Sequence, residues 1–96
     1  MRLEFSPYVE GDLDAIAGYI ALNSPKHAAA FLQEIRDELR VVARSPLLYR
    51  LRPEIGKEAR IAIVGQYVIL FRVMGKTVRV ERIVYGGRDL PELLKE

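Results

Sequence analysis

Residues 79 to 90 read "RVERIVYGGRDL", which sets Arg79, Arg82 and Tyr85 in one extended stretch and then runs through two glycines into the Arg88 and Asp89 pair. Guanidinium groups offer bidentate donors to a phosphate or a carboxylate, so the stretch has the side chains of an anion site. It also has the pattern of a strand that simply ends a sheet. Metal chemistry is remote. The chain has no cysteine and one histidine, His27, which falls in the first turn of a helix and reads as a surface residue. Neither a metal nor a cofactor is expected.

The faces on which these side chains stand depend on strand register. Three strands are expected, Ala59 to Val64, Tyr67 to Met74 and Thr77 to Tyr85, separated by "GQ" and "GK". A two-residue break led by glycine is the type II′ signature of a tight hairpin. Val64 then pairs with Tyr67 and Met74 with Thr77, and the two-residue period of a strand fixes the remaining faces. On this register Ala62, Val64, Tyr67, Ile69, Phe71, Val73, Val78, Val80 and Val84 form the core face. Ile61, Ile63, Val68, Leu70, Ile83, Arg72, Arg79, Glu81 and Tyr85 take the other. That second face is too apolar for water, so a partner, a second copy, or the chain's own basic loop or tail must cover it. Arg72 and Arg79 fall opposite each other, a like-charge pair that calls for a bridging anion, a diagonal contact from Glu81, or splaying into solvent. Arg82 points toward the helices and reads as an edge arginine anchoring the fold.

The elements that carry this sheet are equally marked. "MRLEF" alternates as a short first strand, and Ser6 and Pro7 provide a cap and a first helical position for a helix running to about Asn23. Leu13, Ile16, Ala17 and Ile20 give it an apolar stripe. Ser24 and Pro25 repeat the device for a longer helix, striped by Ala28, Phe31, Leu32, Ile35, Leu39 and Val42, that ends near Ser45 and Pro46. Residues 46 to 58 have no period, two prolines and the basic Arg50, Arg52 and Lys57, and read as a crossing loop. Asp89, three residues before Glu92, is a capping pattern for a short terminal helix whose Leu90, Leu93 and Leu94 pack on the sheet edge or serve recognition.

The expected fold class is α+β: two N-terminal antiparallel helices packed on one face of a small twisted antiparallel sheet, with a short C-terminal helix or tail. One domain spans residues 1 to 96. Fifteen Lys and Arg against thirteen Asp and Glu give +2, too small to argue for nucleic acid, although acids concentrate before residue 40 and bases after it. No run approaches a membrane span, so the chain reads as soluble, unexported and cytoplasmic.

"GDLDAIAGYIALNSPKHAAAFLQEI", "SPLLYRLRPEIGKEAR", "VGQYVILFRV" and "VRVERIVYGGRDLPELL", in this order and at this length, resemble the ParE branch of the RelE/ParE superfamily of bacterial type II toxins. The resemblance implies the fold just described and a ParD-like antitoxin that wraps and neutralises the toxin as a hetero-oligomer. ParE-like members are associated with inhibition of DNA gyrase, RelE-like members with cutting messenger RNA on the ribosome. DNA would be contacted only through the antitoxin, and no membrane is involved. The antitoxin is expected on the second face, at Ile61, Ile63, Val68, Leu70, Arg72, Arg79, Ile83 and Tyr85. The gyrase target is expected at Arg60, Arg88, Leu93 and Leu94.

RNA cleavage by 2′-hydroxyl attack needs a group to deprotonate the nucleophile, a cation for the charged phosphorane and an acid for the leaving oxygen. RelE-like sites place basic residues on the exposed sheet face and a tyrosine near the C-terminus. Here Arg72, Arg79, Arg82 and Tyr85 are the candidates, with Lys57 and Arg60 at the loop. Ile61, Ile63 and Val68 stand where RelE-like chains tend to carry basic residues, and an isoleucine cannot stabilise a phosphate. The favoured reading is therefore a gyrase-binding toxin with no catalytic residue, with the ribonuclease built on Arg72, Arg79 and Tyr85 as the alternative. A further alternative is a non-toxic member acting only in an antitoxin repressor complex.

Overall fold

The computed structural model describes residues 1–95. In chain order they form β1 (Arg2–Phe5), α1 (Val9–Ala21), α2 (Pro25–Arg44), a 3₁₀ turn (Pro46–Leu48), β2 (Ala59–Val64), β3 (Tyr67–Met74), β4 (Thr77–Tyr85) and α3 (Leu90–Leu93). The sheet order is β1-β4-β3-β2. β2, β3 and β4 form the expected antiparallel meander, whereas β1 lies parallel to β4, so the sheet is mixed. Both hairpins close through two residues, with Gly65 and Gly75 at φ 59° and 62°, a region that costs glycine nothing.

α2 begins as its sequence requires. The Ser24 hydroxyl accepts from the His27 amide at 3.2 Å and Pro25 takes the first turn. α1 does not: its N-cap is Tyr8, without a side-chain bond, and Ser6 is buried. The Ser6 hydroxyl instead donates to the Glu81 carbonyl and accepts from the Tyr8 amide at 3.3 Å. A defect in β4 makes this necessary.

β3 and β4 keep the expected register from the hairpin up to Phe71 and Val80. Leu70 then pairs with Arg82 rather than Glu81, leaving Glu81 as an extra residue, a β-bulge. One added residue reverses the face of everything after it. Ile83, expected on the second face, joins the helix-side core with Ile16, Ile35, Ile69, Phe71 and Val80. Val84, expected in that core, goes to the second face beside Val68 and Leu70. Tyr85 pairs with Tyr67, and their rings meet edge to face at 6.2 Å on the helix side.

The second face is closed by the chain itself. Ile55 from the basic loop and Leu90 from α3 are buried against Ala59, Val68, Leu70 and Val84, with Ile61, Leu93 and Leu94 packed around them. Loop and tail meet where Leu94 Cδ1 would lie 2.9 Å from a Cβ on Gly56, so a larger residue there requires the Leu94 side chain to move. Asp89 caps α3, accepting from the Glu92 amide at 3.4 Å. The sheet is thus sandwiched between α1 and α2 on one side and a loop-and-tail layer on the other.

Candidate functional site

The guanidinium pair exists, and the bulge supplies its counterion. Arg72 and Arg79 are directly opposite, and Glu81 reaches back between them. Arg79 Nε donates to Glu81 Oε1 at 3.1 Å, while Arg72 Nε lies 3.2 Å from Oε2 without the alignment of a hydrogen bond. Two cations and one half-buried anion leave a single net positive charge. The cluster opens into a groove that it shares with Tyr8, Met74, Leu93, Leu94 and Lys95.

Arg82 does anchor the fold. Its Nε and Nη2 each donate at 2.8 Å to the Asp12 carboxylate on α1, and Asp12 Oδ2 also accepts the Ile83 amide at 3.0 Å. These hydrogen bonds, opposed by burial and aided by the Asp12 charge, raise the Arg82 pKa above its ordinary value. The Tyr8 ring lies over the guanidinium at 5.0 Å. Asp12 stands in the first turn of α1, where an acid is ordinary because it complements the helix dipole. Nothing local in the sequence marks its partner 70 residues away.

Tyr85 is half exposed at the far end of β4, six residues beyond Arg79, which at ~3.3 Å per strand residue is about 20 Å. It lines a depression with Asp12, Ile16, Tyr67 and the exposed Arg88, across the sheet from Arg72 and Arg79. The residues of the alternative ribonuclease site are therefore not assembled. Lys57 is exposed, and Arg60 is held by a hydrogen bond from Nη1 to the Tyr49 carbonyl, its Nε buried without a partner. Tyr49 in turn donates to Glu38 at 2.6 Å, and burial, reinforced by that carboxylate, pushes its phenol up to about 12.

Of the residues expected to meet an antitoxin, Val68, Leu70 and Ile83 are buried and Ile61 packs against the loop-and-tail core. Ile63, Arg79 and Tyr85 keep accessible surface, though on different parts of the molecule. Of those expected to meet a target, Leu93 and Leu94 are half-buried in the second core and Arg88 is free in solvent. Sequence reading missed a cleft beside β1, lined by Phe5, Pro7, Val9, Leu13 and Leu39, with the oppositely charged Glu10 and Arg36 among its walls. The legible sign of it was Phe5, an apolar residue on the core side of an edge strand.

Among the described residues no helix is long and apolar enough to cross a membrane. The family model of the ParE toxin of the type II toxin-antitoxin system parDE matches residues 3–90. No curated protein matches significantly. A solved structure described as the chromosomal ParDE TA system from P. aeruginosa superposes with a TM-score of 0.75. It has 26% identity, over 88% of this chain and 95% of the other.

Proposed function

The chain belongs to the ParE toxin family of parDE type II toxin-antitoxin systems, and from that premise we propose that it arrests growth by binding DNA gyrase and is neutralised by a ParD-like antitoxin. It acts as a stoichiometric protein inhibitor rather than a nuclease. The observation that carries this reading is the separation of Arg72 and Arg79 from Tyr85. A 2′-hydroxyl attack needs base, cation and acid within reach of one phosphate. Here the cations are occupied by Glu81 and the phenol stands on the opposite side of the sheet, packed on Tyr67. Binding to gyrase requires no such convergence, and the exposed Arg88 and Tyr85 have the composition of an interface hot spot.

Purified protein added to gyrase with relaxed plasmid is expected to block supercoiling or trap cleaved DNA, and the co-encoded antitoxin is expected to restore activity. Normal supercoiling at stoichiometric excess refutes the reading. Cut messenger RNA from translating ribosomes, lost in Tyr85→Phe or Arg79→Ala, would establish the ribonuclease instead.

A further inference from the structure

We infer that the groove between Arg72, Arg79 and the terminal tail is a binding site for a phosphate monoester, of the kind carried by a mononucleotide or by a 5′-phosphorylated nucleic-acid end. The site binds the phosphate and does no chemistry on it. It lies on the part of the second face that the chain leaves open: Leu90 closes that face over Val68, Leu70 and Val84, whereas Leu93 and Leu94 line the groove. The assignment goes beyond the gyrase reading and does not depend on it.

The bulge at Glu81 determines which donors are left over. Glu81 Oε1 accepts from Arg79 Nε at 3.1 Å and Oε2 lies 3.2 Å from Arg72 Nε, so the carboxylate takes the Nε corner of each guanidinium. The Nη1 and Nη2 groups of both arginines make no hydrogen bond among the described residues. On Arg72 only Nε is both buried and unpartnered, so its terminal amino groups keep access to the groove that Arg72 lines. A planar pair of Nη donors is a fork that accepts two oxygens of one phosphate. Arg72 and Arg79 are direct cross-strand partners. Such partners stand with Cβ atoms ~5 Å apart, close enough for both forks to reach one anion.

Charge and shape select the class of anion. Arg72, Arg79 and Glu81 together carry one net positive charge, and Lys95 on the groove adds a second cation. The contact of Lys95 with Glu92, at 3.7 Å between exposed side chains, is a weak one. A phosphate monoester carries about −1.5 to −2 at neutral pH and matches this balance better than the single charge of a diester or a carboxylate. The remaining walls are the Tyr8 ring, Met74 and the half-buried Leu93 and Leu94, around a volume of about 430 Å³. That is more than a bare anion needs and falls in the ~300–1,000 Å³ range of small-molecule sites. A nucleoside attached to the phosphate therefore has room and an aromatic wall to lie against. Glu81 is the one carboxylate lining the groove, so removing its charge is diagnostic.

The test follows the Nε–Hε resonances of Arg72 and Arg79 by NMR in the full chain, with inorganic phosphate, AMP or adenosine added in place of chloride at fixed ionic strength. Phosphate is expected to shift both resonances saturably, AMP to do so at lower concentration, and adenosine to leave them unmoved. Arg79→Ala is expected to weaken AMP binding by about tenfold with an unchanged circular dichroism spectrum. Lys95→Ala, at an exposed tail position, should act in the same direction. Glu81→Gln is expected to tighten AMP binding by about threefold or more, because the competing carboxylate charge is gone. Arginines that served only the fold would show no such gain. A 5′-phosphorylated trinucleotide separates the sources: binding tighter than AMP assigns the phosphate to a nucleic-acid end, and equal or weaker binding assigns it to a mononucleotide. Equal binding of the trinucleotide with a 5′-hydroxyl would mean a diester contact and overturns the monoester assignment. So do AMP shifts confined to residues outside the groove, AMP affinity unchanged in both Arg79→Ala and Lys95→Ala, or no saturable shift with phosphate or AMP up to about 10 mM. Any of these results leaves the gyrase and antitoxin readings where they stand.

Discussion

Asp12→Ala is expected to be among the most damaging single changes outside the apolar core, because one carboxylate satisfies three donors. It accepts from Arg82 Nε and Nη2 at 2.8 Å and from the Ile83 amide at 3.0 Å, with only 9% of its side chain exposed. Removing one partner of a buried pair costs about 3–5 kcal/mol, and an orphaned buried amide costs about 1–3 kcal/mol. Arg82 keeps some access to water and its contact with the Tyr8 ring, which places the sum at the low end, about 3 kcal/mol. A domain of this size has about 5–14 kcal/mol to lose. With a urea slope near ~1 kcal/mol/M, the unfolding midpoint followed by circular dichroism should fall by about 2–3 M. Asp12→Asn retains an acceptor for the Ile83 amide and should cost roughly half as much. A double-mutant cycle with Arg82→Ala should give a coupling of ~1–3 kcal/mol. If Asp12→Ala unfolds within ~0.5 kcal/mol of the parent, the carboxylate does not hold the bulge and the reasoning fails.

Three further outcomes follow from the same geometry. Leu70→Ala, at a fully buried position on the second face, should lose about 2–5 kcal/mol in chemical denaturation, whereas Ile63→Ala, 69% exposed on the same face, should change stability by less than ~0.5 kcal/mol. Glu81→Gln should destabilise by about 1–2 kcal/mol, because Arg72 and Arg79 are left opposite each other without a countercharge, and added phosphate should recover part of the loss in thermal melts. Tyr49 has a folded pKa raised from 10.0 to about 12, so its neutral form is favoured by folding. The stability this contributes is complete below pH 10 and disappears as pH rises from 10 to about 12, and Tyr49→Phe should abolish that component of an alkaline titration of the melting temperature.

Local signals carried the sequence reading where structure is local. Glycine-led turns fixed two hairpins, and Ser24 with Pro25 fixed the start of α2. The face assignment was right up to Val80 and inverted for Ile83, Val84 and Tyr85, because the bulge at Glu81 carries no glycine and no break in β propensity. Its cause is tertiary. Ser6 takes up the stranded Glu81 carbonyl and Asp12 takes the Ile83 amide, and neither partner is near in sequence. Ser6 and Pro7 were legible as a helix start for the wrong reason: the pair sets the chain's exit from β1, and the hydroxyl is spent on the sheet. The cover of the second face was illegible for a related reason. Ile55, Leu90, Leu93 and Leu94 lie in stretches too short to show a period, and only their assembly makes a core.

The bulge also decides which edge of the sheet remains available. Past Phe5 the exposed side of β4 would be a second open ladder, but the Ser6 hydroxyl and Asp12 carboxylate occupy it and α1 lies across it. At the other end of the sheet, the Arg52 amide donates to the Ala59 carbonyl at 2.7 Å and Leu51 bridges to Arg60, so the start of β2 is blocked as well. Short edge strands normally resist pairing through charged side chains that face the approaching chain. In β1 those charges, Arg2 and Glu4, pair with each other at 3.0 Å, while Leu3 packs on the core and Phe5 lines the cleft. β1 therefore lacks that deterrent, and the cleft beside it carries Glu10 as well as Arg36, so its charges do not select a strand of either sign.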